Sequence, residues 1–416
     1  MAVERIGSIL KHLAPGSSLN NIQSKNPDDI VITLAIRTPL TKAKKGGFKD
    51  SSLEYMLYAL LKEVRERSNL DPGLVEDVCL GNVSDGKAAY KVRAASLAAG
   101  FPNTAAASSV NRFCSSGLKA TADIANSITN DVISIGIALG AENMTIGGDK
   151  LDQPFDEAVT SQSQEAEDCM QPMGWTSENV SKDFGVNRDV MDQFAAESFQ
   201  KAEAAKNAGW FADEIVPIKT KIQGPDGEWK EVTLTEDEGI RPGTTYEGLA
   251  KIRSAFPQWG GCTTGGNASQ ITDGAAAVLL MKRSTAIKLG QPIVAKYVGS
   301  TVSGLAPRIM GIGPSVAIPK LLTTYNISLN DVDVVEINEA FASMGVYCRD
   351  KLGLTSEKMN PRGGAIALGH PLGATGIRQI VTGLSELRRT KKKILVTSMC
   401  IGTGQGMAGL FVNEQV

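Results

Sequence analysis

Asn69-Leu70-Asp71, leading into Val78-Cys79-Leu80-Gly81-Asn82, has an echo in Asn326-Ile327-Ser328 leading into Val335-Glu336-Ile337-Asn338. Each copy reads as a helix-to-strand connection that delivers a buried strand ending in asparagine. The spacing continues past the strands: Asn82 stands 32 residues before Cys114, and Asn338 stands 32 before His370. The internal repeat therefore pairs a cysteine with a histidine. A chain of 416 residues has room for two or three structural units.

His370 is one of only two histidines in the chain. Histidine is the usual general base near neutral pH, so imidazole chemistry in the body of this protein falls to His370. It sits in Gly363-Gly364-Ala365-Ile366-Ala367-Leu368-Gly369-His370-Pro371-Leu372-Gly373. A frame this rich in glycine lets backbone approach a ligand closely. A lone histidine in a tight turn is ordinarily structural; two cysteine segments argue for more.

The first is Asn111-Arg112-Phe113-Cys114-Ser115-Ser116-Gly117-Leu118-Lys119-Ala120, followed by a helical pattern with Leu118, Ile124 and Ile128. It predicts a strand or loop ending at Cys114 with a helix starting just beyond. A thiol there feels the positive end of the helix dipole, which raises its thiolate fraction. A free cysteine is otherwise a small buried hydrophobe. The second segment, Lys393-Ile394-Leu395-Val396-Thr397-Ser398-Met399-Cys400-Ile401-Gly402-Thr403-Gly404-Gln405-Gly406, predicts a buried strand opening into a cysteine and alternating glycines. Its G-x-G-x-G spacing is not a dinucleotide fingerprint, since no helix and acidic residue follow at the right distance. Backbone N–H groups beside a second thiol suit an oxyanion hole with an acid/base cysteine.

Composition fits a globular enzyme. The chain is 42% hydrophobic with net charge −2, which suggests neither a nucleic-acid surface nor a disordered tail. No apolar run approaches the roughly 20 residues that span a bilayer. Cys79, Cys169, Cys262 and Cys348 form no C-x-x-C pair, so no metal site is expected. Between about 141 and 271 the texture changes. A helix is expected over Arg188 to Asn207, with Asn187 and Gly209 as caps. Gly224-Pro225-Asp226-Gly227 separates two strand-like runs, a hairpin signal. Ala275-Ala276-Ala277-Val278-Leu279-Leu280-Met281 then reads as a strand returning to the first unit.

Five segments, in order, resemble the motifs of thiolases: Asn111–Leu118, Thr263-Thr264-Gly265-Gly266-Asn267-Ala268-Ser269 with Asp273-Gly274-Ala275, Val335–Ala342, Gly369-His370-Pro371 and Cys400-Ile401-Gly402-Thr403-Gly404. The resemblance implies an α/β thiolase fold: two similar βαβαβαββ halves in a layered αβαβα core, with an inserted loop domain. It implies halves at 27–140 plus 272–292 and at 293–416, and a CoA-binding loop domain at 141–271 that covers the site. The implied reaction is CoA-dependent cleavage of a 3-ketoacyl-CoA to acetyl-CoA and a shortened acyl-CoA, the last step of β-oxidation.

In that scheme Cys114 is the nucleophile that holds the acyl group, His370 takes its proton and later activates CoA, and Cys400 protonates the departing carbanion. His370 and a water held by Asn338 would stabilise the enolate, and the backbone N–H groups of Cys114 and Gly402 the tetrahedral species. Arg241, Ser269 and Met173 are the implied coenzyme A contacts, although Pro172 stands where some thiolases place a histidine. No permanently bound cofactor is expected, and a homodimer is. Alternatives are an acetoacetyl-CoA thiolase, with the same chemistry run in reverse, and a non-catalytic acyl-CoA or lipid carrier, which would need none of the three reactive residues. Ketoacyl synthases share the fold but use one cysteine and two histidines, and Cys400 stands where the second histidine would be.

Residues 1–26 read as a targeting segment and linker. Arg5, Ile6, His12 and Leu13 match a type 2 peroxisomal signal and on a helix would share one face for a receptor. The expected compartment is the peroxisome, with a mitochondrial presequence as the alternative.

Overall fold

The computed structural model describes residues 18–147 and 155–416. Arg5, Ile6, His12 and Leu13 lie outside the described residues.

The repeated segments fold alike. Each follows a helix, Leu53–Ser68 in one case and Gly313–Thr324 in the other. Asn69 and Asn326 both adopt left-handed backbone, at φ 50° and 48°, a conformation that asparagine tolerates better than most residues. A short 3₁₀ turn follows each. Asp71 opens the first by accepting from the Gly73 N–H at 2.9 Å. Ser328 and Asp331 open the second with a reciprocal capping box. The strands Asp77–Gly81 and Val334–Ile337 come next, and both are nearly all buried.

The repeat extends to the whole sheet. In the first half, Asp77–Gly81 pairs in parallel with Ala106–Val110 on one side and Ile135–Asn143 on the other; then follow, antiparallel, Thr272–Lys282 and Ile30–Arg37. The second half has the same order and directions: Val334–Ile337, Ile394–Ile401, Gln405–Asn413 and Ala295–Gly304. Its outermost strand is reduced to a single bridge between Val335 and Met359. Within the sheet the halves are joined where Val31 pairs with Lys296 and Ile32 with Ala295.

Burial resolves these elements into five layers. The helices Ser116–Thr129 and Thr375–Thr390 lie in the middle, where Leu118, Ile124, Ile377 and Ile380 pack against strands of both halves. Leu57, Leu60 and Val92 cover the outer face of the first half. Ala317, Leu321 and Val346 cover that of the second, joined by Phe194 and Phe199 from the insertion. The central helices approach too closely for side chains at their starts: a Cβ on Gly117 would lie 2.7 Å from the Gly373 carbonyl oxygen, and one on Gly376 2.5 Å from the Leu118 nitrogen.

The insertion contains the expected helix Arg188–Asn207. The Asn187 side chain accepts from the Val190 N–H, and Gly209 turns left-handed at φ 72° just past the end. The expected hairpin pairs Ile218–Gln223 with Trp229–Leu234. A buried ion network ties this region to both halves. The Glu214 carboxylate accepts from Arg37 Nε at 2.7 Å, Thr382 Oγ1 at 2.9 Å and Arg362 Nη1 at 3.4 Å. Arg37 also pairs with Asp237, and Arg362 with Glu386. Charges this deep are tolerated because each has an opposite partner and hydrogen bonds. Among the described residues, no helix is long and apolar enough to cross a membrane.

Candidate active site

The strand Ala106–Val110 and the helix Ser116–Thr129 are joined by a tight turn that presents Cys114. Asn111 Oδ1 accepts from the Phe113 N–H at 2.8 Å, and the Phe113 carbonyl accepts from the Ser116 N–H at 2.9 Å. Phe113 itself is left-handed at φ 46°, a strained conformation for a bulky aromatic residue. The thiol is thus held just before the helix, as the sequence predicts, and lies at the wall of a cavity of about 260 Å³.

The second half contributes to the same cavity through Leu372, Gly402 and Thr403. Thr403 is also left-handed, at φ 69°. Leu372 is two residues from His370 and Gly402 two from Cys400; both reactive side chains are buried, at 5% and 0% exposure. From the insertion come Met173, at the start of the helix Met173–Phe184, and Cys169. Sequence reasoning did not assign Cys169 to this site.

His370 mirrors Cys114, preceding the other central helix. Its Nδ1 lies 2.7 Å from Thr375 Oγ1, and that hydroxyl donates to the Pro371 carbonyl at 3.1 Å. The carbonyl can only accept, so the arrangement that satisfies both contacts has the hydroxyl hydrogen on the carbonyl and Nδ1 donating to the oxygen. Nε2 is left with its lone pair, the form a general base requires, and the Asn338 amide nitrogen sits 3.2 Å from it. Thr375 is a partner of the histidine that the sequence reading missed. Its signal was its place at the first helical position, five residues after His370.

Burial first, and the Arg378 guanidinium second, push the His370 pKa from 6.5 down to about 3. The imidazole is therefore neutral at rest, the state in which it can accept a proton. Burial has the opposite effect on Cys400, raising its thiol to about 12. That cysteine is a protonated acid at neutral pH, its sulfur 3.9 Å from Met344 Sδ. The two residues thus rest in opposite states, a neutral base and a protonated acid.

The histidine shift has a consequence for stability. Between pH 6.5 and about 3 the unfolded chain binds a proton at this position that the folded chain refuses. Stabilisation from neutral His370 is complete above pH 6.5 and is lost as pH falls toward 3. Urea unfolding midpoints measured across this range should fall less steeply for His370→Asn than for the unaltered protein.

Asn338 sits directly after its strand, its N–H donating to the Ser398 carbonyl at 2.9 Å. Its Oδ1 is buried with no hydrogen-bond partner among the described residues, so the amide has an acceptor to spare beside the imidazole. Arg241 and Ser269 are not on the cavity wall. Arg241 stacks over the Phe199 ring at 5.4 Å, is half-buried, and pairs with no carboxylate among the described residues. Burial lowers its pKa. Ser269 donates its N–H to the Ala340 carbonyl at 3.0 Å. The adjacent Gln270 accepts from the His370 N–H at 3.0 Å.

Residues 30–284 match the family described as "Thiolase, N-terminal domain", and residues 291–413 match "Thiolase, C-terminal domain". The peroxisomal 3-ketoacyl-CoA thiolase of Yarrowia lipolytica is 50% identical over 416 residues, which cover 99% of this chain and 100% of that protein. The crystal structure of the dimeric peroxisomal thiolase of Saccharomyces cerevisiae superposes with a TM-score of 0.88 at 47% identity, covering 95% of this chain and 100% of the other. Human mitochondrial 3-ketoacyl-CoA thiolase in complex with CoA gives a TM-score of 0.81 at 35% identity, over 93% and 98% of the two chains.

Proposed function

The chain belongs to the thiolase family, and on that premise we propose that Cys114, His370 and Cys400 together perform the cleavage of a 3-ketoacyl-CoA by coenzyme A. The protein is an acyltransferase, a 3-ketoacyl-CoA thiolase of the peroxisome. The observation that carries the residue assignment is the meeting of the Cys114 turn with Leu372 and Gly402 at one cavity, with a neutral imidazole and a protonated thiol behind it.

The steps follow from these states. Cys114 loses its proton to His370 Nε2 and attacks the 3-keto carbon. The tetrahedral oxyanion is held by the backbone N–H groups of Cys114 and Gly402. Its collapse breaks the C2–C3 bond, leaving an acyl thioester on Cys114 and an acetyl-CoA carbanion. The adjacent thioester delocalises that carbanion as an enolate. Donors at its oxygen, His370 and a water held by Asn338, contribute on the order of 3 kcal/mol each. Cys400 gives its proton to the carbanion, and acetyl-CoA leaves. The proton that His370 took from Cys114 passes to the Cys400 thiolate, which leaves His370 neutral again. His370 then deprotonates the thiol of a second CoA, which attacks the thioester to form the shortened acyl-CoA, and the proton returns from His370 to the departing Cys114 thiolate. Dividing one difficult step between two easier ones is the benefit of the covalent intermediate.

Residues 141–271 form the loop domain that receives CoA in this scheme. Met173 borders the acyl path, Ser269 stands beside the His370 loop, and Arg241, which pairs with no carboxylate among the described residues, offers its guanidinium to a phosphate. Two copies of the chain form the working enzyme, an assignment supported by the dimeric relative. The residues Arg5, Ile6, His12 and Leu13 serve the peroxisomal import receptor.

Purified protein supplied with CoA and short-, medium- or long-chain 3-ketoacyl-CoA should consume the 3-keto thioester of the longer chains, followed by loss of its enolate absorbance. Turnover of acetoacetyl-CoA alone would assign the protein to the acetyl-CoA-condensing class instead.

A further inference from the structure

We propose that Glu142 is a positioning residue that fixes the Cys114 turn and the His370 loop relative to one another. The inference rests on the catalytic reading of Cys114 and His370 given above.

The repeat identifies the position. In the first half Gly81 pairs with Gly140 across two parallel strands, and in the second Ile337 pairs with Ser398. Asn82 and Asn338 are the residues after Gly81 and Ile337. Two residues beyond Gly140 and Ser398 stand Glu142 and Cys400. Asn82, Cys114 and Glu142 in one half thus correspond to Asn338, His370 and Cys400 in the other. Five of these six positions are already accounted for as repeat markers or site residues, and Glu142 is the sixth.

Its surroundings differ from those of an ordinary buried carboxylate. Glu142 has no solvent exposure and no cationic partner among the described residues. Both of its oxygens accept from several hydrogen-bond donors. Oε2 accepts from the Val83 N–H at 3.1 Å and from the Gly373 N–H at 2.9 Å. Oε1 accepts from the Ser84 N–H at 3.0 Å, from Asn82 Nδ2 at 3.3 Å and from the Ser84 hydroxyl. Burial raises the carboxyl pKa above its ordinary value, and these donors offset part of that rise. A buried charge without a counterion requires such a set of fixed donors, and the donors are held in turn by the charge.

One oxygen therefore joins the two halves at the site. Gly373 lies three residues past His370 and next to Leu372, which lines the cavity. It fits against the first half only as glycine, because a Cβ would lie 2.5 Å from the Gly81 carbonyl oxygen. On the other side Val83 also lines the cavity, and its carbonyl accepts from Asn111 Nδ2 at 3.2 Å. Asn111 Oδ1 holds the Phe113 N–H, directly before Cys114. The path from His370 to Cys114 thus runs Gly373, Glu142, Val83, Asn111, Phe113, and Glu142 is its only charged member.

Glu142→Gln preserves shape but turns an amide nitrogen toward donors whichever way the side chain lies. With the variant folded, kcat should fall about 100-fold, the scale of a small misplacement of reacting groups, and KM for CoA should change little. Alkylation of Cys114 by iodoacetamide should slow with kcat. A purely structural role would lower the melting temperature but leave kcat per folded site and the alkylation rate at their original values, and that result would overturn the proposal. If Glu142→Gln does not fold, Asn111→Ala, at an exposed position, cuts the same path without opening the core. It should reduce kcat and alkylation together, and unchanged values for both would contradict the path. Absence of thiolysis in the unaltered protein would instead remove the proposed function, while iodoacetamide would still report on the Cys114 turn.

Discussion

Cys114→Ala should lose CoA-dependent thiolysis by on the order of 10⁴-fold or more, the scale expected when a covalent nucleophile is removed. The loss should fall on kcat. The cavity at Cys114 is bordered by Val83, Met173 and Leu372 as well, and removing one sulfur leaves those walls in place for binding. The variant should also fail to acquire an acyl group from any acyl-CoA. No neighbouring thiol offers an equivalent replacement: burial raises the pKa of Cys400 to about 12 and also raises that of Cys169. Both therefore remain thiols, which are poor nucleophiles. Covalent labelling retained in Cys114→Ala would remove that residue from its role.

Cys400→Ala should separate two steps that the unaltered enzyme couples. Acylation of Cys114 by an activated thioester needs His370 and the cavity but not Cys400, so it should persist. Protonation of the acetyl-CoA carbanion needs an acid at the strand end, and general acid–base removal costs about 10²- to 10⁴-fold. Exchange of the α-protons of acetyl-CoA with deuterated water should therefore drop by that factor. The substitution itself is mild, because Cys400 lies in a small apolar cluster with Met310, Ala340 and Met344. Exchange at the original rate would assign the acid/base step to another group.

Much of this site is legible in the sequence because its elements are local. The helix Arg188–Asn207 announces itself by periodicity and by Asn187 and Gly209, and the hairpin by Gly224 and Gly227; both follow from residues within a few positions. Cys114, His370 and Cys400 are legible because each ends or precedes a regular element, where a side chain can face a ligand. What stays hidden depends on distant pairing. The hydrogen bond from Gly373 to Glu142 spans 231 residues, and nothing near Glu142 in the chain marks it as a partner of the histidine loop. Thr375 is closer, but its part depends on the Pro371 carbonyl taking its hydroxyl hydrogen, a matter of loop geometry. The third strand of the second half could not be anticipated in its reduced form, since one bridge at Met359 leaves no alternating pattern. The position of Arg241, half-buried against Phe199 and off the cavity wall, likewise follows from packing in the insertion.

Intact-protein and peptide mass spectrometry of the enzyme, quenched after exposure to a medium-chain 3-ketoacyl-CoA without free CoA, tests the central assignment most directly. The prediction is a single added acyl group, two carbons shorter than the substrate chain, on the peptide carrying Cys114, and its loss when CoA is added. An adduct on Cys400, Cys169 or any other residue, or turnover with no adduct on Cys114, would contradict it.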